Sequence, residues 1–479
     1  MDMDALLLAR IQFAFTIAFH IVFPSFTIGL AAFIATLLVR WRLTGKEHLH
    51  RLARFWTKIF AVSFAMGVVS GIVLSYQLGT NWSEFSAVVG NVIGPLIGYE
   101  VLTAFFLEAT FLGIMLFGWN RVSPNLHVTA AILVAVGTSL SAFWILSANS
   151  WMHTPTGHEV RDGIAYPLDW WAIIFNPSFP YRFAHMFTAA YLTTSLVVLA
   201  VGARYLVGNR FHEEAKTMMR MGLGMVIFLA PLQAFIGDMH GLNTLEHQPA
   251  KIAAMEAHWD SSKPGALVLF AIPNEKEERN DYEISIPGMA SLILKHDTNA
   301  LFPGLKDFKP EDRPPVKPVF YAFRIMVGLG FLMIAIGFVG GYLWLRQRMF
   351  ETRWYLTPVQ HVWPLGFIAI LAGWWVTETG RQPWVATGIL RTADAVSPVS
   401  FGAVLTSLIL FVIVYISVFS MGIYYINRLI DKGPIGAGAE APAGFEAGNP
   451  NVPSRPLSAA EPAAREALNK KPLTSGTSS

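Results

Sequence analysis

The sequence predicts an all-α, polytopic membrane helix bundle with about nine transmembrane helices. Of the 479 residues, 53% are hydrophobic and only 14% are charged, whereas soluble domains carry about 25% charged residues. A chain of this length with so few charges cannot cover a water-facing surface. A transmembrane helix needs about 20 mostly apolar residues, and nine such segments follow one another, at residues 10–39, 59–79, 92–118, 128–149, 183–203, 221–240, 319–345, 359–377 and 400–427.

The composition also restricts the kinds of metal and redox site that the chain can contain. The chain contains no cysteine, which excludes disulfides, Cys-ligated iron–sulfur clusters, thiolate-ligated haem and haem attached through a C-x-x-C-H motif. Any bound metal must therefore be held by histidine, methionine or carboxylate side chains. The near-balanced net charge of +3 indicates no nucleic-acid partner.

The distribution of Lys and Arg predicts the orientation in the membrane. With the N-terminus outside, the inside connections carry 16 Lys and Arg residues and the short outside segments carry 5, as the positive-inside rule requires. The expected loop between Leu78 and Pro95 has none. Nine spans then place the C-terminus in the cytoplasm. The first span is too long for a cleaved signal peptide and carries a histidine in its middle.

One polar segment divides the predicted helices into two groups, and a second follows the last helix. Residues 1–240 hold the first six predicted helices and residues 319–430 the last three. Between them, residues 241–318 mix acidic and basic side chains with many prolines, which predicts a long functional loop on the outer side. Residues 431–479 are rich in Gly, Ala and Pro and have too little apolar material to fold, which predicts a disordered cytoplasmic tail.

Three residues inside predicted spans suggest metal ligation. His20 lies well inside the first span, as either a hydrogen-bonded interhelical histidine or an axial haem ligand. His185 and Met326 each lie a few residues into a span that runs from outside to inside, so they share an outer depth at which a His/Met pair suits a six-coordinate haem. A lone methionine is usually core filler. Arg324, two residues before Met326, either meets a haem propionate or snorkels to the interface.

Two carboxylates lie in the third predicted span. Glu100 and Glu108 are eight residues apart, which in an α-helix is about 12 Å of rise and about 80° of rotation. They therefore share broadly one face. Because burial in a membrane is costly for a carboxylate, the pair indicates stations of a proton path, the alternative being two separate interhelical hydrogen bonds.

A third acidic position ends the eighth span. Glu378 lies in GWWVTETGRQPW, close to Trp374 and Arg381. It is either a solvated carboxylate at a helix end or part of an aromatic, charged setting that suits a porphyrin. Lys251 and Glu256, in KIAAMEAHWD of the loop, look like ordinary solvated charges on the residues alone.

Seven motifs in this order resemble subunit I of the cytochrome bd-type quinol oxidases. The similarity runs from about residue 8 to about residue 430 and follows the branch with a short outer loop, which includes the cyanide-insensitive oxidases. GRQPW and the FFLE-containing segment are the most specific. The motifs are IQFAFTIAFH, TNWSEFSAVVG, AFFLEATFLG, SLSAFWILSANSWM, KIAAMEAHW, FRIMVGLGF and GRQPW.

The resemblance implies a nine-helix subunit with three haems: a low-spin haem b, a high-spin haem b and a haem d, or a further haem b in its place. His185 and Met326 match the axial ligands of the low-spin haem, with Arg324 beside it. His20 and Glu378 match the ligands at the other two haems, and the resemblance leaves open which takes which.

The remaining positions match residues that bind quinol or transfer protons in the family. Lys251 and Glu256 match the quinol-site pair in the outer loop. Glu100 matches a carboxylate at the di-haem site, and Glu108 one in the proton route. The resemblance also implies ubiquinol as the quinol, dioxygen as oxidant, a second membrane subunit, a further small single-helix subunit, and the bilayer of the bacterial inner membrane.

The implied function is that of a terminal respiratory oxidase subunit. Quinol is oxidised at the outer face and dioxygen is reduced to water, so that a proton motive force arises without pumping. The histidine patterns of haem–copper oxidases and dihaem cytochromes b are missing. The remaining alternative is a haem-free, proton-coupled transporter that uses Glu100 and Glu108, which would not need His20, His185 and Met326 at ligand-compatible depths.

Overall fold

The computed structural model describes residues 3–434, which are predominantly helical. The predicted tail lies outside the described residues from position 435 onward. Fourteen α-helices occur in the described part: α1 (Met3–Thr44), α2 (Glu47–Thr80), α3 (Ser83–Glu100), α4 (Phe106–Phe117), α5 (Pro124–His153), α6 (Trp170–Ile174), α7 (Phe179–Val207), α8 (His212–His247), α9 (Pro249–Met255), α10 (Met289–Lys295), α11 (Val316–Leu345), α12 (Arg353–Val359), α13 (Pro364–Thr379) and α14 (Phe401–Lys432).

The membrane bundle agrees with the sequence prediction. Within residues 3–434, eight helical stretches are long and apolar enough to cross a bilayer. Helices α12 and α13 together make a ninth, bent by 45°. One of the eight joins α3 and α4 through a π-helical turn at Val101–Phe105. The all-α, polytopic class is therefore confirmed.

Several helices are longer than their apolar segments. Helix α2 begins at Glu47 rather than at residue 59, and α8 runs from His212 to His247 rather than over 221–240. Outside the apolar parts polar contacts hold the helices together, as where Arg51 Nη2 lies 2.7 Å from Glu214 Oε1. The apolar-run criterion finds only the part of a helix that suits lipid.

The loop expected between Leu78 and Pro95 is mostly helical, so that expectation was wrong. Helix α2 continues to Thr80 and α3 begins at Ser83, with Pro95 inside α3. The short connection is tied down by the backbone N–H of Ser83, which donates to Ser397 Oγ at 2.8 Å. Polar residues that anchor a helix end give the same hydropathy pattern as a loop.

The core of the bundle positions the site. Helices α7, α8, α11 and α13 form a closed ring in which each packs against the next. A separate apolar core fills the space among α1, α2, α5 and α7, with Trp56 and Phe60 fully buried at its centre. Burial of large aromatic side chains is a leading source of stability in such interfaces.

The segment between α8 and α11, residues 248–315, is folded, and we call it the folded loop. It contains α9, α10 and an antiparallel hairpin of β3 (Leu267–Asn274) and β4 (Arg279–Ile286). Its core includes Ile252, Trp259 and Phe302, which pack with Phe320 of α11. Shorter antiparallel hairpins follow α5 and α13: β1 (His158–Arg161) with β2 (Ile164–Pro167), and β5 (Trp384–Ala386) with β6 (Leu390–Arg391).

Candidate active site

The two predicted ligands of a low-spin haem lie on opposite members of the four-helix ring. His185 is on α7 and Met326 on α11, and both α7 and α11 pack against α8 and α13. His185 Nδ1 is buried and has no hydrogen-bond partner in the described part of the chain. A buried imidazole nitrogen that is left without a partner is costly unless something else satisfies it.

His20 on α1 is hydrogen-bonded in a way that leaves one nitrogen for a metal. Its Nδ1 lies 3.0 Å from Ser70 Oγ on α2. The Ser70 hydroxyl lies 2.8 Å from the backbone carbonyl of Met66 and donates its single proton there, so it accepts from His20 Nδ1–H. This tautomer keeps the lone pair on Nε2, which is the arrangement typical of a ligating histidine.

Glu378, near the end of α13, is held by three side chains. Asn149 Nδ2 donates to Glu378 Oε1 at 2.9 Å, and His153 Nε2 lies 3.4 Å from the same oxygen. Arg381 Nη2 donates to Glu378 Oε2. The carboxylate is therefore embedded among polar groups and is not the solvated helix-end charge of the simpler interpretation.

The surroundings of Glu378 carry an excess of positive charge. Arg182 and Arg381 are both buried and face this one carboxylate, with Arg182 linked to it through Asn149, whose Oδ1 accepts from Arg182 Nη2 at 2.8 Å. Arg182 Nε and both Nε and Nη1 of Arg381 are buried without a hydrogen-bond partner among the described residues. Such a set favours an added anion, because buried charges are stable only when they are compensated.

Lys251 on α9 connects the folded loop to this cluster. Its Nζ donates to Gln248 Oε1 at 2.6 Å and lies 3.2 Å from His153 Nδ1. Burial, and next the positive charge of Arg182, hold the pKa of the Lys251 amine well below its ordinary value of 10.5. His153 therefore stands between Lys251 and Glu378 with one ring nitrogen toward each.

Glu256, the second loop residue, is paired with α11. Arg324 Nη2 donates to Glu256 Oε2 at 2.7 Å, and Arg324 Nε donates to the carbonyl of Val268 at 2.8 Å. The Arg324 guanidinium was expected either to meet a propionate or to snorkel. In the structure it joins the folded loop to the helix that carries Met326.

Glu100 and Glu108 lie on either side of the π-helical turn. Ser141 Oγ on α5 donates to Glu100 Oε1 at 2.7 Å, while Glu108 is 5% exposed and lies against Gly137 of α5. A π-helical turn changes the rotation between the two carboxylates from the α-helical value, and such turns are frequent at functional sites. Both side chains face α5.

Trp374 lies on α13 and is half-buried. Within residues 3–434, no three side chains of His, Cys, Asp or Glu converge to hold a metal ion. The predicted ligands are instead distributed singly over α1, α7, α11 and α13. An arrangement of this kind suits haem, whose iron takes only one or two axial ligands from the protein.

Sequence reasoning missed Asn149, His153 and Arg182. His153 follows the predicted end of the fourth span, and one histidine in a loop has no spacing signature. Arg182 was counted only as an outside positive charge. The segment SANSWMH, which carries Asn149 and His153, contributed most of its residues to a recognised motif, but its individual side chains gave no signal.

A family model described as cytochrome bd terminal oxidase subunit I matches residues 8–434. The chain belongs to this family. Membership makes it a haem-containing subunit of a terminal oxidase in respiratory electron transport, and a multi-pass protein of the bacterial inner membrane. The transporter alternative is not favoured.

Individual relatives agree over almost their whole length. The chain is 36% identical to cytochrome bd ubiquinol oxidase subunit 1 of Bacillus subtilis (strain 168), over 90% of this chain and 94% of that protein. It is 32% identical to cytochrome bd-II ubiquinol oxidase subunit 1 of Escherichia coli (strain K12), over 92% and 99% respectively. The solved bd oxidase of Geobacillus thermodenitrificans matches this cytochrome bd subunit with a TM-score of 0.83, at 31% identity, over 90% of this chain and 99% of that chain.

Proposed function

We propose that this cytochrome bd subunit oxidises quinol at its folded loop and carries the haems that reduce dioxygen to water. One observation carries the proposal: His153 Nδ1 lies 3.2 Å from Lys251 Nζ in the folded loop, and His153 Nε2 lies 3.4 Å from Glu378 Oε1 in the bundle. A single imidazole thus connects the expected quinol-binding lysine with an expected haem-ligating carboxylate.

The described residues fit haem groups. The unpartnered guanidinium nitrogens of Arg182 and Arg381 complement the charge and the acceptor atoms of porphyrin propionates. Trp374 lies about one helical turn before Glu378 on α13. His185 and Met326 would hold a low-spin haem b. His20 and Glu378 would hold the two others, a high-spin haem b and a haem d or further haem b.

When bound, the haem irons supply electron transfer and the reduction of dioxygen. His185 and Met326 together would hold the haem for electron transfer, and His20 and Glu378 would hold the haems at which dioxygen is reduced. The His20 tautomer set by Ser70 supports its assignment as a ligand. The opposed placement of α7 and α11 in the four-helix ring supports the His185 and Met326 pair.

The folded loop binds and deprotonates quinol in this proposal. Lys251 and Glu256 offer an amine and a carboxylate to the two quinol hydroxyls, and ubiquinol is the expected quinol. The low pKa of Lys251 favours the neutral amine, which is able to accept a proton. Arg324 positions Glu256 through their 2.7 Å ion pair.

The protons that dioxygen reduction consumes enter from the cytoplasmic side. Glu108 and Glu100 carry them along the α3–α4 stretch, with Ser141 as a hydrogen-bonding group on α5. Because quinol protons leave outside and these protons come from inside, charge separates without pumping. The orientation that this requires, N-terminus outside and C-terminus in the cytoplasm, rests on the Lys and Arg distribution.

We further propose that the subunit works with a second membrane subunit and a small single-helix subunit. The test uses that purified complex and combines a reduced-minus-oxidised visible spectrum with ubiquinol-dependent oxygen consumption. Lys251→Met is expected to lose quinol oxidation while all haem bands remain. Lys276→Met, at an exposed position in the hairpin of the folded loop, is the matched control and is expected to behave as the unsubstituted enzyme. A colourless complex of folded, full-length protein would exclude the oxidase function.

A further inference from the structure

We propose that three glycines leave room for three of the four side chains that we assign as haem ligands and so set their positions, an inference that rests on the proposed function. Each of these three side chains lies against a glycine of a neighbouring helix, in a space that a Cβ atom would fill. The pairs are His20 with Gly71, His185 with Gly237, and Met326 with Gly373.

The three pairs lie where the bundle is packed most extensively. Among the helices of residues 3–434, the three pairs with the most extensive contact are α1 with α2, α7 with α8, and α11 with α13. Each of these interfaces contains one of the ligand and glycine pairs. Glycine allows two helices to approach closely, and packed interiors respond to even a single added methyl group.

At the two histidines, the glycine leaves room for the ring in the orientation that it has in the structure. A Cβ on Gly71 would lie 3.1 Å from His20 Cε1, and one on Gly237 would lie 3.3 Å from His185 Cε1. Cε1 lies between the two ring nitrogens, so contact there determines which way the ring plane turns. A ligating nitrogen must point at the iron, and an added methyl group would turn it away.

At the methionine, the glycine leaves room for the sulfur atom of a flexible side chain. A Cβ on Gly373 would lie 2.8 Å from Met326 Sδ, closer than the 3.4–4 Å of ordinary contact. Methionine has three rotatable side-chain bonds, so its sulfur keeps one position only where neighbouring atoms hold it. A Cβ on residue 373 would displace the sulfur from the position that it has in the structure.

The test uses the holoenzyme complex and reads the haem bands one by one. Gly373→Ala is expected to abolish the low-spin α-band while the haem is retained and gains carbon monoxide binding, since His185 still holds it. Gly237→Ala, with the milder contact, is expected to lower and shift that same band. Gly71→Ala is expected to leave the low-spin band intact and to alter the bands of the other haems.

Two matched glycines serve as controls. Gly79 lies on α2 with Gly71, and Gly330 lies on α11 one turn from Met326, and neither would bring a Cβ within 4 Å of another group. Gly79→Ala and Gly330→Ala are expected to keep every haem band, because the added Cβ meets no other group. Alanine is also the better helix former, so these variants should fold. In each variant, the bands of the haems that the substitution does not touch show that the protein has folded. If Gly373→Ala does not accumulate, Gly237→Ala tests the same low-spin haem.

The controls separate this inference from the proposed function. If Gly71→Ala and Gly237→Ala both keep the full spectrum while His185→Ala loses the low-spin band, the glycine inference is overturned and the ligand assignment stands. If His185→Ala itself keeps the low-spin band, the ligand assignment fails, and the glycine inference fails with it. Equal losses in the control and test glycine variants would also overturn the inference.

Discussion

Arg324 of α11 and Glu256 of the folded loop form an ion pair, with Arg324 Nη2 2.7 Å from Glu256 Oε2. The Glu256 side chain is 6% exposed and that of Arg324 is 19% exposed, so solvent screens the pair only weakly. Arg324 is two residues from Met326. The charge on the expected quinol-site carboxylate therefore acts close to an expected haem ligand.

Glu256→Gln is expected to change the quinol reaction and the low-spin haem together. The amide still accepts a hydrogen bond from Arg324 but no longer neutralises its charge. Quinol oxidation should fall by about 100-fold, the usual scale for loss of a catalytic acid or base. A net positive charge added nearby should raise the midpoint potential of the low-spin haem in a potentiometric titration.

The matched control for Glu256→Gln is Glu277→Gln, which removes a carboxylate from an exposed ion pair with Arg279. Exposed pairs contribute little, so this variant should keep both the turnover and the potential of the unsubstituted enzyme. Loss of haem bands in Glu256→Gln, without a separate defect in quinol oxidation, would instead assign Glu256 a structural role.

Much of the bundle could be predicted because lipid imposes a simple rule on sequence. An ionisable residue within an apolar segment, such as His20 or Glu108, stands out against its surroundings. The same rule fails at helix ends, where α2 and α8 continue as polar helices that contact each other through Arg51 and Glu214. Hydropathy carries no information on such extensions.

The polar site could be predicted only in part, because it depends on the tertiary fold. Arg324 contacts the carbonyl of Val268, which is 56 residues away along the chain. His153 contacts Glu378, which is 225 residues away. No local spacing encodes either contact. Glu378 was predicted as a site residue through its aromatic neighbours, whereas His153 has no such signature in the sequence.

His185→Ala is expected to remove the low-spin haem b signal and quinol oxidation together. The substitution takes away one axial ligand, and the remaining Met326 thioether is a weak ligand for iron. A reduced-minus-oxidised spectrum and quinol-dependent oxygen consumption measure the two effects. His127→Gln is the control, since His127 Nε2 lies 3.0 Å from the Met115 carbonyl in a structural contact. A normal low-spin spectrum in His185→Ala would reject the assignment.

Lys251 is expected to give quinol oxidation a characteristic pH dependence. Its pKa is lowered, so the amine loses its proton at a pH well below 10.5 and becomes able to accept a quinol proton. The rate should therefore rise with pH through that lowered pKa and fall on acidification. In Lys251→Arg the guanidinium stays protonated, so the rate should be about 100-fold lower and this rise should vanish.

The pH profile is measured as steady-state ubiquinol oxidation with an excess of dioxygen. Lys276→Arg, at an exposed hairpin position, should reproduce the profile of the unsubstituted enzyme. An unchanged profile in Lys251→Arg would show that another group sets the pH dependence and that Lys251 does not accept the quinol proton.

Glu108→Gln is expected to slow proton delivery while leaving electron entry intact. Glutamine keeps the shape and hydrogen bonding of glutamate but cannot exchange a proton. Glu108 is 5% exposed and faces α5, where Ser141 Oγ lies 2.7 Å from Glu100 Oε1. If protons reach the haems along this face, each must pass Glu108. The variant should retain its haems and accept electrons from quinol, yet turn over about 100-fold more slowly with dioxygen.

The decisive measurement for this route follows haem reduction, oxygen consumption and membrane potential in the same proteoliposomes. In Glu108→Gln the haems should become reduced at the normal rate and remain reduced, because the step that consumes protons limits turnover, and little potential should build up. Glu84→Gln removes an exposed carboxylate from the same α3–α4 stretch and should be normal in all three respects. Because protons taken from the outer side would support turnover without a potential, near-normal turnover together with a normal potential in Glu108→Gln excludes the route through this helix.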